Sequence, residues 1–343
     1  MSSSHTDSIV ARSACRVDLA GGTVDLWPLY LFHPSPVVVN IAMRIGTSCT
    51  ITPKAGKKIV LRSGDTGKSD TFSNLDALVA ATKYSHALAA YLVKFFRPKG
   101  GFEIETHSDS PAGAGISGSS ALMIATTAAL SEFTGRGLDK PAIREIAQNV
   151  EAQLINVPTG CQDYYPALYG GVSAIHLRED GIHREEIKVS TDEVEKRFVL
   201  AYTGAPRQSG INNWEVFKAH IDGDKRVFKN FERITEIAHG MHTAMRTADW
   251  EGVGRLLHDE WKLRKTNAPG ITTPLIDRLI EASRKNGGIA AKVCGAGGGG
   301  CVIFFTHPDA KPRVEAAIAK AGGTVLPFQV ERRGVTVKRI KQK

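Results

Sequence analysis

No CxxC pair occurs among the five cysteines, Cys15, Cys49, Cys161, Cys294 and Cys301. Their odd number and wide spacing argue against both a disulfide framework and a zinc ribbon. That usage fits a reducing compartment, and a cytoplasmic location is the expectation. No run of about 18 apolar residues is present, so no membrane span is expected. The polar opening "MSSSHTDS" lacks the apolar region of a signal peptide. Internal repeats and long linkers are missing too. The net charge is +9, but Lys and Arg are dispersed, and the densest run is the C-terminal "ERRGVTVKRIKQK". Solubility, or weak attraction of anionic metabolites, is favoured over nucleic-acid binding for that tail. What the chain does have is 343 residues, 42% of them hydrophobic. That suits one large domain or two, with real cores.

Read along the chain, "ARSACRVDLAGG" is a strand entering a glycine turn, and "VVVNIAMRIGTSCTITP" is β-branched enough for one or two strands. "LDALVAATKYSHALAAYLVKFF" has apolar residues at helical spacing and predicts one helix, ended by Pro98 and Gly100. "GFEIETHSD" alternates as a strand, and a helix runs from about Ser119 to Phe133. "KPAIREIAQNVEAQLIN" is a further helix, and "GGVSAIHL" a strand closing an N-terminal half near residue 180, to within about ten residues. The second half mixes the strand "KRFVLAYTG", a helical hairpin turning at Ala248-Asp249, the helix "TPLIDRLIEASRKNG", and a strand, glycine loop and strand in "AAKVCGAGGGGCVIFFT". A last helix, "PRVEAAIAKAG", and strand, "TVLPFQVE", follow. The class is α+β, divided as residues 1–180 and 181–343.

Two glycine loops stand out. "PAGAGISGSSA" places Gly113, Gly115 and Gly118 between a strand and a helix, the setting of a dinucleotide-binding turn. A Rossmann unit then needs a second strand ending in an acid about 20 residues on. Asp139 has the distance but lies in a turn before a helix, so that reading fails. A Walker A motif is excluded because no Gly-Lys-Ser/Thr follows. An anion site survives both exclusions. Glycines let main-chain N–H groups approach an anion, and the helix start carries unpaired N–H groups with positive partial charge. Ser117, Ser119 and Ser120 add hydroxyls for phosphate oxygens or a metal ion. A serine-capped helix after a plain turn is the other reading. The second loop, Gly295 to Gly300, leads into a strand. It is either a tight hairpin or a place where backbone approaches a ligand or another segment.

Three segments in order, "RVDLAGGTVDL", "PAGAGISGSSA" and "KVCGAGGGGCVIFF", together resemble the three motifs of the GHMP kinases over nearly the whole chain. The resemblance implies a ribosomal-protein-S5-like N-terminal domain and a ferredoxin-like C-terminal domain, with ATP and Mg²⁺ in the cleft between them. Pro111, Gly113, Gly115, Ser117, Gly118, Ser119 and Ser120 would wrap the ATP phosphates. Ser120 and Glu151 match the family's metal-holding serine and glutamate. Asp163, in "GCQDYY", matches the acid beside the phosphoryl acceptor, and Arg16 an arginine close to the transferred phosphate. Asp25, with Gly22 and Thr23, falls where the family binds sugar hydroxyls, and Gly297 and Gly298 would border the same substrate. On residues alone, Asp163 could cap a turn, Glu151 could be an exposed helix carboxylate, and Arg16 a strand-surface charge. The chemistry suits the implied roles, because phosphoryl transfer asks mainly for positioning and charge neutralisation, and Mg²⁺ takes oxygen ligands.

Within that family the chain looks most like the sugar-1-kinase branch, heptose 7-phosphate kinases above all. The expected partner is a small sugar or sugar phosphate; oligomeric state is not legible. Departures exist. The branch usually shows AGGGTD where this chain has "AGGTVD", and the Glu-His pair of galactokinases is replaced by Gly22-Thr23. Ile116-Ser117-Gly118 stands where leucine and small residues are usual. A phosphorylated acceptor would need cations at the far end of its pocket; Arg207 is the first choice, with Arg44 and Lys262 also available. Trp27 and Tyr30 suit either sugar stacking or core packing. The rival functions are a GHMP kinase for another alcohol and a non-catalytic sugar sensor.

Overall fold

Two sheets organise the chain. The computed structural model describes residues 7–206 and 211–341. The first sheet has eight strands, six of them in the order Thr336–Ile340, Ser8–Ala20, Val37–Lys54, Gly101–Ser108, Ile59–Ser63, Ser69–Phe72. The strand Val37–Lys54 is a single run of 18 residues. Its length lets it serve two partners on one edge. Thr47–Lys54 pairs with Gly101–Ser108, and Val37–Ile41 pairs with Val172–Arg178, which hairpins onto Gly181–Glu186. The sequence shows why. Val37 to Ala42 is apolar but for Asn40, as befits a strand covered on both faces, whereas beyond Arg44 buried and half-buried residues alternate.

The helix Gly118–Phe133 lies on this sheet and is buried nearly all round, from Ser120 and Ala121 to Phe133. It is the element whose start carries the first glycine loop. The second sheet runs Thr324–Leu326, Phe198–Tyr202, Cys301–Thr306, Gly288–Val293, wholly antiparallel. Period-two alternation gives its strands two apolar faces. Val199, Ala201, Val302 and Phe304 pack on helices Pro274–Lys285 and Lys311–Lys320 through Ile276, Leu279, Val314 and Ile318. Phe198, Leu200, Ile303 and Phe305 join Met241, Met245, Val253 and Leu257 of the helical hairpin Lys225–Thr247 and Trp250–Arg264, in a core continuous with the first sheet. None of the five cysteines forms a disulfide, and all are buried. No helix among the described residues is long and apolar enough to cross a membrane.

Some expectations needed correction. The helix predicted over residues 75–96 is two, Leu75–Ala80 and Ala87–Phe96. The break is made by tertiary bonds that periodicity does not encode. The Tyr84 hydroxyl donates to the carbonyls of Leu78 and Ala81 at 2.7 and 2.6 Å, and Asp70 accepts from the Ser85 and His86 amides at 3.1 and 2.8 Å. The basic tail is no loose arm; Thr336–Ile340 adds an antiparallel edge strand beside Ser8–Arg12. The helices Tyr164–Tyr169 and Thr191–Arg197 and the strand Gly181–Glu186 are additional. The chain leaves the first sheet after Glu186 and enters the second at Phe198.

The hairpin turn is where the sequence placed it. Ala248 takes the left-handed conformation at φ 54°. Asp249 caps the next helix by accepting from the Gly252 amide at 2.9 Å. Asp249→Ala is expected to cost about 1 kcal/mol, the usual worth of such a cap, read as a lowered urea midpoint with an unchanged slope.

Candidate active site

Arg16 sits where the three motifs meet. Its strand, Ser8–Ala20, buries it, and each of its three guanidinium nitrogens finds an acceptor. Nε and Nη2 donate to Asp163 Oδ1 at 2.8 and 2.6 Å. Nη1 donates to the Gly115 carbonyl at 3.0 Å and the Cys294 carbonyl at 2.7 Å. Its own amide donates to the Ile116 carbonyl at 3.0 Å. One side chain thus joins the first glycine loop, the second glycine loop and the acid. Burial works against its charge, but Asp163 and Asp18 outweigh burial and hold the guanidinium above its ordinary range.

The first loop turns through left-handed backbone at Gly113 (φ 67°), Gly115 (φ 74°) and Ser117 (φ 58°) before the helix starts. A non-glycine residue there is uncommon and marks a constrained loop. Ser117 stands at the N-cap but makes no capping bond, and its buried hydroxyl oxygen has no hydrogen-bond partner. The serine-capped alternative therefore fails. What remains is a cradle of amides and hydroxyls in need of an acceptor. One turn along, Ser119 and Ser120 hydrogen-bond to Glu151, and the Tyr164 hydroxyl donates to Glu151 Oε2 at 2.7 Å. Burial raises the Glu151 carboxyl above its ordinary value despite those bonds. Ser120 and Glu151 offer hard oxygen atoms side by side in a buried place, a donor set that fits Mg²⁺. Pro111, Gly113, Gly115, the four residues Ser117 to Ser120, Glu151 and Asp163 all line one cleft of about 560 Å³.

Asp163 and Asn213 also border a narrower cavity of about 50 Å³, walled by Arg16, Asp18, Gly22, Thr23, Asp25 and Gln162. Thr23 is held at φ 76°, a strained conformation for a β-branched residue. It is pinned by Arg264, which donates to its hydroxyl at 3.2 Å and to the Gly22 carbonyl at 2.9 Å. Asp25 accepts from the Gln162 amide at 2.9 Å and so fixes the loop that carries Asp163. Burial pushes its carboxyl up to about 6, against the pull of that bond.

Sequence reasoning missed the charges beneath this cavity. Lys292, from the strand Gly288–Val293, bonds Asp18 at 2.9 Å and lies 3.2 Å from Glu260. Arg264 donates through both Nε and Nη2 to the single oxygen Glu260 Oε1 and lies 3.7 Å from Asp18. All four side chains are buried. Burial opposes ionisation of Asp18, but Lys292, Arg264 and Arg16 bring its carboxyl below the usual range. Asp18 Oδ1 and Gln162 Oε1 stay buried without a partner, two acceptors facing a cavity that can take hydroxyl donors. A signal was present: Asp18 lies two residues after Arg16, and Lys292 two before Cys294, each on the inward side of a strand.

The second glycine loop is a joint rather than a tight hairpin. Its residues Gly297, Gly298, Gly299 and Gly300 all have positive φ. The Cys301 amide donates to the Ala114 carbonyl at 2.6 Å. A Cβ on Gly300 would come within 2.6 Å of the same oxygen, so only glycine allows the approach. Gly297 and Gly298 lie against Ile271, the latter by an amide bond of 2.9 Å. It is Gly295 and Ala296 that line the narrow cavity. Of the expected cations, Arg207 lies outside the described residues, Arg44 bonds Gln329 away from the cleft, and Lys262 is exposed. Tyr30 packs in an apolar cluster with Val24 and Leu29, and Trp27 is exposed.

Comparisons with known proteins bear on the family and the fold. Residues 80–171 match the GHMP kinases N terminal domain and residues 241–324 the GHMP kinases C terminal domain. The D-glycero-alpha-D-manno-heptose 7-phosphate kinase of Campylobacter jejuni is 27% identical, over 97% of this chain and 99% of that one. The mevalonate kinase of Thermococcus sibiricus is 27% identical over 71% of each chain. A crystal structure of a D-glycero-D-manno-heptose 1-phosphate kinase from Bacteroides thetaiotaomicron superposes with a TM-score of 0.78 at 21% identity, covering 97% of this chain and all of that one. Galactokinase from Lactococcus lactis, complexed with galactose, gives 0.79 at 19% identity over 97% and 95%.

Two outcomes are expected from the buried charges. Lys292→Met leaves Asp18 and Glu260 with Arg264 as their one remaining shared cation among the described residues and should cost about 3–5 kcal/mol of unfolding free energy, measured in urea. Asp25 has a folded-state value above its ordinary one, so the folded protein holds the extra proton and loses stability as pH rises from about 4 through 6. The melting temperature of Asp25→Asn, minus that of the parent, should therefore grow over that window and stay level above it.

Proposed function

The chain belongs to the GHMP kinases and is an ATP-dependent sugar kinase; from that premise we propose that it phosphorylates the anomeric hydroxyl of a heptose 7-phosphate or a closely related sugar. One observation carries the site assignment: Asp163 is shared by the two cavities, one bordered by the phosphate loop and the other by buried hydroxyl acceptors. The acceptor class rests on the Campylobacter relative, which spans the chain end to end.

In this reading the amides from Gly113 to Ser120 and the Ser117 hydroxyl hold the polyphosphate, and Ser120 with Glu151 holds Mg²⁺. Bound there, the metal neutralises phosphate charge. Asp18, Asp25 and Gln162 take the sugar hydroxyls. Asp163 accepts the proton of the attacking hydroxyl or orients it, while Arg16 keeps that carboxylate in place and faces charge on the transferred group. The bond between the γ-phosphorus and its bridging oxygen breaks as one to the sugar oxygen forms, leaving ADP. Arg207 follows Ala205, whose carbonyl accepts from the Gly300 amide at 3.0 Å, and precedes Asn213 of the cavity wall. Arg207 itself lies outside the described residues, and its role as a cation for the acceptor's own phosphate is carried by the sequence alone. Gly297 and Gly298 shape the loop behind the substrate. The retained Arg16–Asp163 pair weighs against a non-catalytic sensor.

ADP release over a panel of heptose 7-phosphate, free hexoses and mevalonate tests the proposal. The highest kcat/KM is expected for the heptose phosphate; preference for mevalonate or a free hexose would overturn the acceptor, and no turnover on any would overturn catalysis. Asp163→Asn should lower kcat by about 10²-fold or more while the affinity for ATP, measured by calorimetry, holds.

A further inference from the structure

Away from the cleft, His176, Glu185 and His242 converge from three elements. His176 lies on the strand Val172–Arg178, and Glu185 on its hairpin partner Gly181–Glu186. His242 lies on the helix Lys225–Thr247, which packs over them. All three are half-buried, and one ligand atom from each lies within 4.8 Å of the others. None lines the catalytic cleft.

The carboxylate stands between the two imidazoles. His176 Nε2 is 2.9 Å from Glu185 Oε2, and His242 Nε2 is 3.1 Å from Oε1. The rings meet edge to face with centroids 5.3 Å apart. A plain ion pair would direct both N–H groups at the carboxylate. The two contacts are unequal: His176 bonds Oε2 with good alignment, whereas the buried Nε2 of His242, 3.1 Å from Oε1, is poorly aligned with it. A nitrogen set beside a carboxylate oxygen but not aimed at it is what two ligands of a common third atom look like.

We infer that His176, Glu185 and His242 bind a divalent transition-metal ion of the zinc class, which ties the hairpin to the helix. The donor chemistry fits, because two imidazoles and one carboxylate, with water in the fourth position, are a zinc set. Ligand bonds of about 2.0–2.1 Å in a tetrahedron put donor atoms roughly 3.3 Å apart; the imidazole nitrogens lie 2.9 and 3.1 Å from different oxygens of the carboxylate, and one donor atom from each residue lies within 4.8 Å of the other two, so side-chain movements of about 1.5 Å or less close the set. Magnesium prefers a full set of oxygen ligands, so the site is chemically distinct from the one at Ser120 and Glu151.

Calorimetric titration of chelator-stripped full-length protein with Zn²⁺, without nucleotide, is expected to show one tight site. Co²⁺ in its place should give the intense visible bands of a low-coordinate site. His242→Ala and Glu185→Gln should each weaken binding by about 100-fold or more, at least as much as losing an outer-shell partner costs. Both should keep their Mg²⁺-supported kinase turnover in chelated buffer, which shows that they fold. Absence of a tight site, or full-strength binding in both folded variants, would overturn the assignment. Because turnover is not the readout, the outcome stands apart from the choice of acceptor.

Discussion

A single buried guanidinium organises the catalytic half of this molecule. Arg16 spends its donors on one carboxylate and on two carbonyls from loops that are far apart in sequence, so acid and loops share one reference point. Replacing such a group by lysine would not conserve it, since an ammonium's three donors radiate from one nitrogen and cannot span acceptors set around the edge of a planar fork. The loops answer with bonds of their own: the Cys301 amide meets the Ala114 carbonyl, and glycine at position 300 makes that approach sterically possible. The cleft is therefore a place where backbone from both sheets touches, not a gap between independent bodies.

Below that layer lies a second set of charges, Asp18, Lys292, Glu260 and Arg264. Burying four ions is costly unless each is paired, and here each cation serves two carboxylates or a carboxylate and backbone. The arrangement fixes geometry as much as it holds the fold together. Arg264 secures Gly22 and Thr23 in a backbone shape that threonine alone would avoid, and Lys292 brings Asp18 under the acceptor cavity with one oxygen left over. Preorganisation of this kind is what a reaction dominated by positioning requires.

Much of this was legible in the sequence, for identifiable reasons. The hairpin turn at Ala248-Asp249 and the helix starting near Ser119 were readable because turn residues and glycine loops are local chemistry. Most of the candidate site was readable: the fold brings Arg16, the residues Ser117 to Ser120, Glu151 and Asp163 to two adjoining cavities, whereas Gly297 and Gly298 line neither. The break between Leu75–Ala80 and Ala87–Phe96 was not, because it is enforced by Asp70 and Tyr84 through tertiary bonds. No strand was assigned to the basic tail for a related reason. Charged residues on an edge strand look like a solvated run until a partner strand is known. The buried ion cluster stayed hidden because Lys292 and Arg264 resemble ordinary surface cations in a one-dimensional reading.

The return of Thr336–Ile340 to the side of Ser8–Arg12 makes the second sheet an insertion within the first. During synthesis the opening strand emerges early, yet its outer edge stays unsatisfied until everything in between has been made. The nascent chain thus carries an open row of amides and carbonyls through most of its elongation. It can seal them only when Thr336–Ile340 arrives, which makes completion of the first sheet wait on synthesis of the second.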